Sequence, residues 1–132
     1  MDENKRKHLD LIQAIITRLS NNSFLIKGWC ITLMVGLFAL YAKNSESKYI
    51  FICLYPTILF WIIDSYYLSL EKTYRSLYNN VRIKKEESID FNLSMDIQEI
   101  KKYNWYQVMF TELNTIFYFF IILIITITIL VF

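Results

Sequence analysis

Turn formers are scarce in this sequence: two glycines and one proline in 132 residues. A β-sandwich needs many turns, and turns want Gly, Pro, Asn and Asp, so that architecture is excluded. Two cysteines make no disulfide framework and no zinc site. A single histidine, His8, leaves no Cys/His or Ser/His constellation for nucleophilic catalysis. No HExxH, P-loop or GxGxxG pattern is present. The chain is therefore expected not to be an enzyme and to carry no cofactor and no metal. An excess of one charge is lacking too, since a net charge of +2 is too small to imply nucleic-acid binding.

Apolar and aromatic residues are what the chain has in quantity. Hydrophobic residues make up 55% and aromatics 17%, and the mean hydropathy is +0.33. This excludes a disordered tail and points to long helices in lipid. Three stretches carry the signal. Phe24 to Ala42 is interrupted only by Lys27, Tyr49 to Leu70 contains one acid, Asp64, and Thr115 to Phe132 has no charge. A bilayer core asks for about 20 apolar residues of helix, within a range of roughly 17–25. Three buried helices in a soluble core would leave too little polar surface to cover them.

The expected fold is all-α: a helical membrane protein with an N-terminal amphipathic helix, three transmembrane helices and a short cytoplasmic helical layer. It forms a single membrane domain over 1–132. The arm, 1–22, repeats Leu9, Ile12, Ile15, Ile16 and Leu19 at helical spacing, opposite Asp10, Gln13, Thr17 and Arg18. Such an arm either lies on the lipid surface or packs against protein. Asn21-Asn22-Ser23 is expected to cap the first span, 24–42. The second span, 49–70, extends to about residue 82 in the cytoplasm, with a kink at Pro56. A loop and helix fill 83–113, with Lys84-Lys85-Glu86-Glu87 solvated and a helix start near Ser94 and Asp96. The third span is 115–132. No cleavable signal is expected ahead of the first span, because its flank is long and Ala39-Leu40-Tyr41-Ala42 is a poor cleavage site.

Basic residues set the orientation. Lys5, Arg6, Lys7, Arg18 and Lys27 precede or open the first span. Lys72, Arg75, Arg82, Lys84, Lys85, Lys101 and Lys102 lie between the second and third. The hairpin turn has only Lys43 and Lys48, and nothing basic follows the third span. The positive-inside rule then places the N-terminus and central segment in the cytoplasm and the C-terminus outside. In that hairpin Cys30 and Cys53 differ in depth by about 12 Å, too far to bridge.

Lys27 and Asp64 lie equally far from a turn centred between Ser45 and Glu46, so they belong at one depth in neighbouring helices. A charge inside a span normally finds a partner or water. The pair is a candidate gate at the inner mouth of a pore, or a structural salt bridge with Lys27 snorkelling. Asp64, Glu71, Arg75 and Tyr78 share a helical face that extends to Trp61 and Thr57. That face either lines a vestibule or makes a helix–helix contact. Gly28, Thr32 and Gly36 form a small-residue stripe suited to close helix packing, within the subunit or between copies. One intramembrane Asp makes no aspartyl dyad.

Certain stretches also resemble a known family. The arm and first span read HLDLIQAIITRLSNNSFLIKGWC, the second span FWIIDSYYLSLEKTYRSLYNNVR, followed by FNLSMD, Trp105 and an aromatic-led last span. This is similar to small inner-membrane proteins of bacterial anti-phage defence loci. Among these are transmembrane effectors partnered with nucleotidyltransferases and the channel part of the Hailong effector. The matching positions are His8, Gln13, Arg18, Asn22, Ser23, Phe24, Lys27, Gly28, Trp29, Asp64, Tyr66, Tyr67, Glu71 and Arg75. The resemblance implies a homo-oligomeric pore of four or more copies, held closed and opened on infection to depolarise the membrane and arrest growth. It implies a sensor partner too, a nucleotidyltransferase or its nucleotide product at the cytoplasmic face. One departure is that no segment within these 132 residues is expected to be large enough for a separate soluble sensor domain. Two other readings compete: a phage-type holin, and a non-channel membrane subunit or inhibitor that binds a partner protein.

Overall fold

The computed structural model of the chain describes residues 2–111 and 113–132, and every regular element among them is helical. The chain forms α1 (Glu3–Asn44), α2 (Lys48–Ile52), α3 (Leu54–Ile83), α4 (Ile97–Lys102), α5 (Trp105–Thr111) and α6 (Leu113–Val131). A single 3₁₀ turn at Glu86–Ser88 interrupts the loop after α3. Three stretches of helix, Glu3–Asn44, Lys48–Ile83 and Ile97–Val131, are long and apolar enough to cross a bilayer. The protein is a three-span helical membrane protein.

The arm and first span are one helix of 42 residues. The cap expected at Asn21-Asn22-Ser23 does not form, because nothing there removes a backbone donor and the Ser23 hydroxyl is committed to another helix. At 1.5 Å per residue α1 is about 63 Å long, roughly twice a hydrocarbon core. About half of it therefore stands clear of the apolar layer as a stalk. It ends at Ser45, in the left-handed region at φ 54°, whose N–H bonds the Tyr41 carbonyl at 2.7 Å.

Pro56 acts slightly upstream of the kink expected at its own position. Lacking an N–H, it cannot bond the Ile52 carbonyl, and the helix breaks at Cys53, whose N–H turns to Ile50 at 3.1 Å. Pro56 thus sits in the first turn of α3, where a missing donor costs nothing.

α3 returns antiparallel along α1, and α6 runs beside both, parallel to α1. Two apolar clusters hold this arrangement. At the turn end, Cys30 and Met34 of α1 meet Ile50, Cys53, Trp61 and, from α6, Tyr118, Ile121 and Ile125. Both cysteines are free and buried. At the stalk end Leu9, Ile12 and Ile16 pack on Val81, with Tyr74, Leu77, Tyr78, Ile89 and Leu93 around them. The apolar stripe of the arm is therefore covered by the extended end of α3 and is not spread on lipid.

A strap, residues 84–96, crosses this stalk. The Asp2 N–H donates to Glu86 Oε1 at 2.7 Å, and Lys5 Nζ donates to the Lys84 carbonyl at 2.8 Å. Asp96 caps α4 by accepting the Gln98 N–H, as its position before an amphipathic run suggests. The helix expected to lead from there straight into the last span is interrupted at Tyr103 and Asn104. α4 and α5 instead lie along α3, tied by Ser76 Oγ to Glu99 at 2.8 Å, by Ser69 Oγ to the Tyr103 carbonyl, and by Trp61 Nε1 to the Met109 carbonyl at 3.1 Å.

Candidate functional site: a buried ion pair within the spans

Asp64 sits in the middle of α3, on the face that meets both α1 and α6. Its side chain is completely buried. Lys27, from α1, places Nζ 2.5 Å from Asp64 Oδ2, and its own side chain is 23% exposed. The antiparallel register is what brings them together. The same register sets Thr57 Oγ1 3.5 Å from Met34 Sδ, further toward the turn.

Two more hydroxyls complete the cluster. Ser23, one helical turn before Lys27, donates to Asp64 Oδ1 and accepts from Lys27 Nζ at 2.9 Å. Tyr118, on α6, donates to Asp64 Oδ2 at 2.9 Å. Lys27 also lies 5.9 Å from the centre of the Phe117 ring. Three donors from two helices thus surround one carboxylate. An isolated carboxylate in lipid would be costly, and a single partner repays that cost only with good geometry and further hydrogen bonds. Here both conditions are met, and the pair is neutral overall.

The sequence pattern pointed to Lys27 and Asp64 but not to the donors around them. Ser23 stood out only as a cap candidate and a motif position. Tyr118 was hidden in an aromatic run. The available signal was that Tyr118 is the single tyrosine of α6, on the buried face it shares with Asn114, Ile121 and Ile125. Asn114 Nδ2 on that face is buried and has no partner among the described residues.

The face proposed to line a vestibule divides in two. Thr57, Trp61 and Asp64 are inside the bundle, where Thr57 donates to the Cys53 carbonyl at 2.8 Å and Trp61 stacks on Tyr118 at 6.1 Å. Helix packing, not water, covers that half. Glu71, Arg75 and Tyr78 lie in the stalk. Arg75 Nε and one terminal nitrogen both donate to Glu71 Oε1, at 3.1 and 2.8 Å. Beside them Gln13, Ile16, Arg75, Tyr78 and Asn79 line a cleft of about 260 Å³.

Gly28, Thr32 and Gly36 face outward. A Cβ built on either glycine would meet nothing within 4 Å, so the stripe makes no close contact inside the subunit. The Thr32 hydroxyl turns back to the Gly28 carbonyl at 2.9 Å. Asn22 and Trp29 border a second cleft, of about 210 Å³, shared with Ile63 and Tyr67. Phe24 is 77% exposed, Arg18 is exposed, and Tyr66 and Tyr67 meet edge to face at 6.1 Å.

His8 is fully buried under the strap. Its Nε2 is 3.0 Å from the Asn92 carbonyl, which can only accept, so Nε2 carries the proton. Its Nδ1 is buried without a partner among the described residues, and Phe91 covers the ring at 5.6 Å. Phe91 itself adopts φ 52°, a left-handed angle uncommon for an aromatic residue. Among the described residues no three His, Cys, Asp or Glu side chains converge as metal ligands.

Comparison of the chain with protein families, with curated proteins and with solved structures returns no match.

Proposed function

We propose that this protein is a homo-oligomeric ion-channel effector in a bacterial inner membrane, with its stalk in the cytoplasm. The observation that carries the reading is the buried Asp64 carboxylate, held within the spans by Lys27, Ser23 and Tyr118. Ionisable groups in membrane helices are retained where an ion path or a moving element uses them. In this reading the arrangement is the closed state. The pair bolts α1, α3 and α6 together, and opening turns Asp64 from its partners toward a water-filled path between subunits. Several copies are needed, because three spans cannot enclose an aqueous pore. The unoccupied stripe of Gly28, Thr32 and Gly36 gives a face on which copies can approach closely.

The basic residues flanking the stalk support the cytoplasmic placement. The resemblance to anti-phage membrane effectors supports a trigger linked to infection, delivered to the stalk by a sensor protein or its nucleotide product. The decisive experiment pairs oligomeric mass in detergent with planar-bilayer recording. A closed ring of four or more copies that conducts, with conductance altered by Asp64→Asn, supports the channel. A monomer or dimer without conductance removes it.

A second reading is favoured by one feature of the same cluster: every group of the ion pair is satisfied inside a single chain. A non-channel subunit that presents its stalk to a partner protein would use the pair purely as a bolt. Absence of conductance together with a stable complex with a neighbouring gene's product would select it.

A further inference from the structure

The α4–α5 segment leaves an aromatic groove along α3, and lysines stand beyond its stalkward end. Ile62, Ile63, Tyr66, Tyr67 and Trp105 enclose about 300 Å³. Tyr66 is 52% exposed and Trp105 40% exposed, so the groove opens outward. It lies beside the middle of α3, at the level just stalkward of Asp64, where the apolar span gives way to polar residues. Trp and Tyr concentrate at that depth in membrane proteins.

One turn further along α3 the chemistry changes sign. Tyr103 is anchored there through its carbonyl to Ser69, and Lys102 Nζ and Lys72 Nζ stand 5.3 and 6.0 Å from its ring. Lys101 and Lys102 are exposed, and no ion pair among the described residues occupies either. From Tyr66 to the level of Lys72 is about 9 Å of helix rise. That is the separation between the start of an acyl chain and a phosphate in a glycerophospholipid lying along the helix. Lys102, held at Tyr103 beyond an apolar slot, and the exposed Lys101 next to it in the chain complement a ligand that is apolar at one end and anionic at the other.

We propose that this groove is a binding site for one anionic phospholipid, its acyl chain between α3 and Trp105 and its phosphate at Lys101 and Lys102. The site is independent of whether the protein conducts. A neutral lipid would fill the slot but leave the lysines unsatisfied. A soluble phosphate would reach the lysines and leave the slot empty.

The full-length protein in detergent, titrated with phosphatidylglycerol or phosphatidylcholine and read by native mass spectrometry, tests the assignment. The wild type should retain phosphatidylglycerol more than tenfold better than phosphatidylcholine. Lys101→Gln with Lys102→Gln should erase that preference, at about fivefold per lysine. Phosphatidylglycerol with brominated acyl chains should quench tryptophan fluorescence more than its phosphatidylcholine counterpart, and Trp105→Phe should abolish the difference. Equal retention of the two lipids overturns the proposal, as does a preference that survives the double substitution. If glycerol phosphate binds as tightly as the phospholipid, the slot contributes nothing and the proposal also fails.

Discussion

The Tyr118 hydroxyl donates to Asp64 Oδ2 at 2.9 Å, joining α6 to α3 across 54 residues of sequence. It is the direct polar tie from the third span to the ion pair of the first two. Tyr118→Phe keeps the ring stack on Trp61 and removes only this donor. A hydrogen bond to a charged acceptor is worth about 1.5–3 kcal/mol. Unfolding in mild detergent should show a loss of that size, and no loss would mean that the hydroxyl is replaceable by water.

Breaking the ion pair should cost more than removing it whole. Asp64→Ala strands Lys27 in a mostly buried position, at about 3–5 kcal/mol. The double variant Asp64→Ala with Lys27→Ala should recover part of this. A double-mutant cycle with coupling above about 1 kcal/mol is expected. If the protein is toxic on expression, Asp64→Ala should also abolish growth arrest while membrane insertion persists; unchanged arrest would reduce the pair to packing.

The outward stripe gives a cleaner test of assembly than any buried residue. Gly36→Leu meets open space within the subunit, so the stability of the single chain should change by no more than about 1 kcal/mol, the scale of the helix-propensity gain. The oligomer, measured by light scattering with the micelle subtracted, should nevertheless fall apart. A native-sized oligomer would place the interface elsewhere.

The strap over the stalk depends on His8. His8→Ala removes its bond to the Asn92 carbonyl and the ring that Phe91 covers. Limited proteolysis should then cut within 84–96 several times faster than in the wild type. Cleavage at an unchanged rate would show that Lys5 and Asp2 hold the strap alone.

Acid should loosen the same strap. The Asn92 N–H donating to Asp90, with Lys84 at 3.9 Å, holds the Asp90 carboxyl below its ordinary value of 3.8. A lowered folded value means the contribution is complete above pH 3.8 and is lost as pH falls through the lower folded value. The protection factor of the Asn92 amide, its exchange rate divided into the intrinsic rate at each pH, should therefore be flat near neutrality and fall only below that point. A change in that protection factor between pH 5 and 7 would implicate another group.

Composition and periodicity alone determined the class of this protein. Apolar stretches near 20 residues read as spans, and the stripe of Leu9, Ile12 and Ile16 reads as one face of a helix, while only the packed structure shows that α3 and not lipid covers it. Equal distance from one turn was enough to pair Lys27 with Asp64, because an antiparallel hairpin makes depth a matter of counting. Tertiary structure decided the rest. Whether Asn21-Asn22-Ser23 ends a helix depends on what the Ser23 side chain can bond, and its acceptor is 41 residues away. Tyr118 could be assigned to Asp64 only once the rotation of α6 was known, since a span of Phe and Ile carries little signal for which face turns inward. The small-residue stripe shows the same limit. Local spacing says that a close approach is possible, and only the packed subunit shows that none of its own helices makes it.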